Sequence, residues 1–343
     1  MKATQPHTFI NADSDLNPDA DPASLTPAMN SVLENMRKAN RPAIHTLSPA
    51  EAKTLYAKGA DILEVHSPHM HSEETYQVSA LDGHRILLKL WRPVHMQSVA
   101  KHGTHHLAPA LIYFHGGGFT IGSIETHATL CKVIAKLSQM PVISVEYRLA
   151  PEFTFPVAHN DAWSACEWIF KNATDLRLSA KHLFVGGDSA GGTLSLYCAQ
   201  QAGLTGHSFR GQILYYPGCA DNQNMPSHKA YAVGYLLEQK SIDYFYGLYL
   251  AGPDRTRLMS DWRFSALCSP HLKLLPPTWI GLAQCDPLRD EGTALVHALK
   301  ALGCNVKARI YKGVIHGFVK MGRFIPEAVE AHVDASDFLR SFL

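Results

Sequence analysis

The chain alternates between short apolar runs and longer stretches with helical spacing. Residues 26–40 place Met29, Val32, Leu33 and Met36 on one face of a helix. Ser48-Pro49-Ala50-Glu51 is a capping-box start with proline at the first helical position, and it opens a second helix to about Lys58. Thr75–Leu81 and Arg85–Trp91 alternate with period two around Asp82-Gly83, which predicts a hairpin. A polar loop at 93–108 follows, then a buried strand at Ala110–Phe114, a helix at about 125–138 and a strand at Pro141–Glu146. The helix at about 156–171 turns Trp163, Cys166, Trp168 and Ile169 inward. Strands are expected at 181–186, Gln212–Tyr216, Thr278–Ala283 and Val306–Tyr311, with helices at about 290–302 and 326–342. The rhythm breaks at 220–275, where one helix rich in Tyr and Phe is expected around Ser241–Leu250. Strand–helix alternation predicts an α/β fold, a largely parallel sheet of eight strands covered by helices on both faces.

Composition narrows the function classes. The 343 residues carry a formal net charge of +1, with 18% charged and 46% hydrophobic residues. No broad field of one sign exists to steer nucleic acid or an anionic membrane. No apolar run is long enough to span a bilayer. The first thirty residues are polar and lack an apolar signal-peptide core, and residues 1–24 read as a mobile tail. The seven cysteines are scattered without a C-x-x-C pair, so neither a disulfide framework nor a zinc ribbon is indicated and a cytoplasmic location is expected. Twenty histidines include two groups, His66, His69, His71 and His102, His105, His106. No carboxylate or cysteine completes a ligand set in either, so they read as exposed loop histidines and no metal is expected.

The candidate chemistry lies at strand ends. Gly187-Asp188-Ser189-Ala190-Gly191-Gly192 reads G-x-S-x-G between an apolar strand and a helix, the pattern of a nucleophile elbow. Small residues two places either side of the serine let strand and helix pass closely. His115-Gly116-Gly117-Gly118 directly follows a strand, and its glycines leave amides uncovered by side chains. The amides of Gly116 and Gly117, with that of Ala190, are the expected oxyanion hole. Asp286 and His316 follow the serine in the acid-then-base order, each just past a strand. His316 would take the Ser189 proton, and Asp286 would hold the other ring nitrogen. Asp290 and Glu291 are rival acids whose alternative role is charge at a helix N-terminus. Arg148 and Glu152 are expected in a polar network supporting the oxyanion loop, and Asp188 is expected to accept loop hydrogen bonds.

These blocks, with Val145–Glu152, Phe155-Pro156, Asp161 and His316-Gly317-Phe318, resemble the hormone-sensitive-lipase-like family of α/β-hydrolases, the bacterial family IV carboxylesterases. They run in the family's order from about residue 75 to the end. Thr193 stands where the family often has Asn. The resemblance implies an α/β-hydrolase fold, a Ser–Asp–His triad, no cofactor, and a helical cap built from the N-terminal helices and an insertion. The division expected is 1–73 for tail and cap helices, 74–219 for the first part of the core, 220–270 for the inserted cap segment and 271–343 for the rest of the core. The cap matches through Gly234 and Tyr249. The implied activity is hydrolysis of short to medium acyl-chain esters through an acyl-enzyme. The partner is a small ester, with no nucleic acid and no membrane span, and a homodimer is compatible with this. The alternatives are an amidase or deacetylase with the same triad, and a receptor on a hydrolase fold, which the intact histidine context disfavours.

Overall fold

The computed structural model describes residues 24–94 and 107–343. The sequence reading of residues 1–23 and of His102, His105 and His106 falls outside that set. Strands β1 (Ser72–Ser79), β2 (Arg85–Arg92), β3 (Ala108–Phe114), β4 (Val142–Glu146), β5 (Leu178–Asp188), β6 (Gly211–Tyr215), β7 (Thr278–Cys285) and β8 (Val306–Ile315) form one sheet. Its order is β1-β2-β4-β3-β5-β6-β7-β8. β2 runs antiparallel to both its neighbours, and every other pairing is parallel.

Strict alternation along each strand decides which layer a side chain joins. In β3, Ala110, Ile112 and Phe114 enter one apolar cluster, while Leu111 and Tyr113 enter the other. Both faces of the central strands are therefore dry, which is why β3 reads as an unbroken apolar run, whereas edge strand β1 alternates. Helices α4 (Val157–Asn172), α5 (Ala190–Leu204) and α9 (Arg289–Ala301) bury Cys166, Leu194 and Leu295 on the first side. Helices α3 (Ala128–Ser138) and α10 (Pro326–Arg340) bury Ile134 and Phe338 on the second. Trp168, expected inward, is only half buried.

Helices α1 (Pro27–Lys38) and α2 (Pro49–Gly59) precede the sheet. Thr26 caps α1, accepting from the amide of Met29, and the apolar face of α1 buries Met29, Val32 and Leu33. The capping box of α2 forms as expected, Ser48 and Glu51 each bonding the other's amide. Between β6 and β7 lie α6 (Pro226–Ala230), α7 (Gln239–Tyr249) and α8 (Arg255–Met259). The two outlying regions touch: the Tyr244 hydroxyl donates to the carbonyl of Leu47 at 3.1 Å, and Arg37 donates to that of Gly234 at 3.0 Å.

β8 runs four residues past the expected end. β8 bulges here: between the pairs Ala283–Tyr311 and Cys285–Ile315 its residues 312–314 oppose Gln284 alone, whose side chain accepts from the amide of Gly313. The polar Lys312-Gly313 pair that breaks the apolar run is thereby kept inside the strand.

Candidate active site

β5 ends at Asp188, and Ser189 makes the turn into α5. Its φ of 53° and ψ of −120° are sparsely populated for a residue with a Cβ. Such a backbone stores about 1–3 kcal/mol and persists only where its surroundings over-determine it. Here a bond from the Ser189 amide to the carbonyl of Tyr215 holds it at 2.9 Å, and the Ser189 carbonyl accepts from Thr193 at 3.1 Å. The crossing of strand and helix requires glycine: a Cβ on Gly191 would lie 2.0 Å from the carbonyl oxygen of Phe114, and one on Gly187 would lie 2.4 Å from the Gly191 carbonyl carbon.

His316 follows β8 and brings Nε2 to 3.0 Å from Ser189 Oγ. Its Nδ1 stands 2.7 Å from Asp286 Oδ2. Asp286 is fully buried just past β7, and its other oxygen accepts from the amide of Leu288 at 2.9 Å. The ring of Tyr216 packs on the imidazole with centroids 4.4 Å apart, fixing its plane. The three side chains predicted from sequence therefore stand in one hydrogen-bonded line.

The glycine loop requires a correction. The amide of Gly116 is not free, because it donates to Asp188 Oδ1 at 3.0 Å. Gly116 is buried and does not line the cavity above Ser189, whereas Gly117, Gly118 and Ala190 do. Gly117 has φ of 120°, a conformation that glycine alone adopts readily, and the chain turns there. Asp188 also accepts from the Tyr113 hydroxyl at 2.9 Å and lies 3.5 Å from His127 Nε2. Burial works against its charge, but His127, the Tyr113 hydroxyl and Lys320 outweigh it and hold the carboxyl at about 2. Asp188 thus accepts loop hydrogen bonds as expected, and in doing so it takes the donor assigned to the oxyanion. Sequence could not show which of three consecutive glycines it would take.

Arg148 pairs with buried Asp161 through two nitrogens, at 2.8 and 2.6 Å, and with Asp82 at 2.7 Å. Glu152 is not in that network; it is exposed and meets Lys53 at 2.9 Å. The loop is held instead by the Tyr147 hydroxyl on the carbonyl of His115 at 2.7 Å and by the Ala150 amide on that of Phe119 at 2.8 Å. Asp290 and Glu291 do lie in the first turn of α9, but each has a particular partner. Asp290 accepts from the amide of Ser227 at 2.8 Å, and fully buried Glu291 accepts from the amides of Cys219 and Ala220 and faces His228 Nε2 at 2.8 Å. Among the described residues, no group of three or more His, Cys, Asp or Glu side chains could hold a metal ion.

A cavity of about 770 Å³ opens above Ser189. Its walls include parts of α1, α2 and α7 and are mostly apolar, with Leu33 and Met36 from α1, Leu237 just before α7 and Phe245 within it. Lys320 and Tyr56 contribute a polar patch. Lys320 Nζ donates to the carbonyl of Thr126 at 2.6 Å and lies 3.6 Å from Glu64 Oε1.

Burial pushes the Glu64 carboxyl up to about 8, although Lys320 pulls the other way. Burial pushes the imidazoles of His115, His159 and His332 down, to about 3, 3 and 4. The signs oppose each other. The unfolded histidines take up protons near pH 6.5 while the folded ones do not, so stability is full above that pH and falls as pH drops toward 4. Unfolded Glu64 loses its proton near 4.5 while the folded group keeps it, so stability falls as pH rises from 4.5 through 8. Glu64→Gln should therefore raise Tm at pH 9 and not at pH 5, read by circular dichroism. Equal shifts at both pH values would overturn the assignment of Glu64 as the titrating group.

Comparison with known proteins bears on the fold and the family. A family model described as the alpha/beta hydrolase fold matches residues 111–320. An ethyl acetate hydrolase of Pseudomonas putida is 34% identical over 303 residues, covering 88% of this chain and 92% of that one. A carboxylesterase of Mycobacterium tuberculosis is 36% identical over 227 residues, covering 65% and 70%. Among solved structures, an ester hydrolase from the metagenome of Lake Arreo, complexed with a derivative of bipyridine phosphonate, superposes with a TM-score of 0.86 at 32% identity over 92% of this chain and 98% of that one. A hyperthermophilic esterase from the archaeon Pyrobaculum calidifontis gives 0.84 at 31% identity over 93% and 98%. With the fold, the order of the motifs and these relatives in agreement, this chain belongs to the hormone-sensitive-lipase-like carboxylesterases of the α/β-hydrolase superfamily.

Proposed function

We propose that Ser189, His316 and Asp286 act as nucleophile, base and acid in hydrolysing short to medium acyl-chain esters. The observation that carries this is the unbroken line from Ser189 Oγ through His316 to buried Asp286, at 3.0 and 2.7 Å. Ser189 Oγ attacks the ester carbonyl carbon as its proton passes to His316 Nε2. The carbonyl oxygen becomes an oxyanion, held by the amides of Gly117, Gly118 and Ala190. Collapse breaks the carbon–oxygen bond, and the alkoxide leaves with the proton from His316. Water then attacks the acyl-enzyme with His316 as base, releasing the acid and restoring Ser189.

In this reading the helices before β1 and the segment 220–270 form a cap, whose apolar walls accept the acyl or alcohol limb. Cys131, Cys166, Cys198, Cys219, Cys268 and Cys304 are free thiols, which fits a reducing compartment such as the cytoplasm. No described helix is long and apolar enough to cross a membrane. The net charge of +1 gives no reason to expect a nucleic-acid partner, and a homodimer is compatible with the reading.

A series of p-nitrophenyl esters from acetate to palmitate tests the proposal. The expected outcome is kcat/KM highest at short to medium length and falling for the longest chains, whose extended acyl groups outgrow the cavity. Turnover of a matched amide at a comparable rate would favour an amidase instead, and hydrolysis of none of the esters would overturn the reading.

A further inference from the structure

The oxyanion loop is flanked by α7, a helix of the segment inserted between β6 and β7. Two contacts join them. A Cβ on Gly118 would lie 2.3 Å from the Phe245 ring, so that ring packs directly on the backbone of a residue that lines the cavity. One residue later, Phe119 stacks on Tyr249 with centroids 4.2 Å apart and planes 12° from parallel. Phe119 has φ of 59°, unusual for a residue with a Cβ, so its conformation needs outside support.

Tyr249 is itself fixed from behind. It is fully buried. Its hydroxyl and His159 Nδ1 are 2.7 Å apart, and His159 Nε2 is 3.0 Å from the carbonyl of Arg263. Burial holds that imidazole neutral. The Tyr249 carbonyl accepts from the amide of Phe155 at 2.8 Å, and the Phe155 ring meets the Tyr249 ring edge-on at 5.9 Å. A helix tied this way at its C-terminal end is a fixed wall. Phe245 lines the cavity, but Tyr249 does not.

We propose that Tyr249 and Phe245 are positioning residues that set the direction of the Gly117 and Gly118 amides, so that α7 acts on the rate of the chemical step as well as on substrate choice. This rests on the assignment of those amides to the oxyanion. Stacking pairs contribute about 0.5–1.5 kcal/mol beyond their buried area. Their effect on rate is larger, because a misplacement of about 1 Å can slow a reaction about 100-fold.

Three variants test it: Tyr249→Leu removes the stack, Tyr249→Phe removes only the hydroxyl, and Phe245→Leu removes the ring over Gly118. Each is assayed for kcat and KM on esters of two limb lengths, for affinity toward an aryl trifluoromethyl ketone, which forms a tetrahedral adduct, and for affinity toward a product carboxylate. Tyr249→Leu is expected to lower kcat about 10–100-fold for both esters. KM and product affinity should hardly change, and ketone affinity should fall by the same factor as kcat/KM. Tyr249→Phe should recover most of the loss, since the stack remains. Phe245→Leu should lower ketone affinity too, and it decides the matter if Tyr249→Leu does not fold. Folded variants with unchanged kcat and ketone affinity, or losses confined to the KM of the bulkier ester, would overturn the positioning role. A wild-type protein that hydrolyses esters yet shows no affinity for the ketone would overturn the oxyanion assignment instead, and the two failures are thereby distinguished.

Discussion

Ser189→Ala is expected to lower kcat by about 10⁴–10⁶-fold while leaving the fold intact. The hydroxyl makes one contact with His316, so its removal leaves the packing of β5 and α5 unchanged. A serine-directed phosphonate should label wild-type protein at Ser189, seen by peptide mass spectrometry, and should leave the variant unmodified. The backbone allows a second reading of the same site. Ser189 has φ of 53°, where alanine is strained as serine is and glycine is not. Ser189→Gly should therefore be more stable than Ser189→Ala by about 1 kcal/mol, about 1–2 kcal/mol of relieved strain less about 0.5–1 kcal/mol for the added freedom of the unfolded chain, seen as a higher Tm, and be equally inactive. Activity that persists in either variant after phosphonate treatment would overturn the nucleophile assignment.

Much of this site was legible because its parts sit at strand ends marked by motif. A glycine–serine turn between a strand and a helix constrains its own geometry. Asp286 and His316 each follow an apolar run whose length and position identified it as a parallel strand. Their meeting at the carboxyl edge follows from topology, as residues 30 apart in sequence come to 2.7 Å. What sequence left open was the sharing of donors among neighbours. Three glycines in a row are equivalent on paper, and only the placement of Asp188 under the loop makes Gly116 different from Gly118. Glu152 was misread for a related reason. A charge next to Arg148 in the chain suggests a partner, but the guanidinium turns to Asp161 and Asp82, from α4 and the hairpin. Contacts across the inserted segment, such as Phe245 on Gly118, carry no sequence period and were not legible.

Asp286→Asn and Glu291→Gln should separate two buried carboxylates of one motif. Asp286 Oδ2 faces His316 Nδ1, so the ring proton lies between them and Nε2 is free to accept from Ser189. Asparagine can still accept from the Leu288 amide through its oxygen, which places its NH₂ group against Nδ1. The ring proton must then move to Nε2, the atom that has to receive the serine proton. A loss in kcat of about 10⁴-fold is expected, with Tm nearly unchanged. Glu291 touches no reacting group. It ties the start of the inserted segment to α9 through the amides of Cys219 and Ala220. It also faces His228 Nε2, while His228 Nδ1 accepts from the amide of Met225 at 3.2 Å. With Nδ1 used as acceptor, Nε2 carries a proton and needs an acceptor. Glutamine keeping both amide bonds turns its NH₂ toward that proton, leaving two donors face to face. The expected effect is a loss of about 1–3 kcal/mol in stability. The rate of the folded protein should change much less than in Asp286→Asn. Thermal unfolding and kcat measured on both variants give the decision: an equal fall in kcat, with both folded, would mean that Asp286 is not the acid.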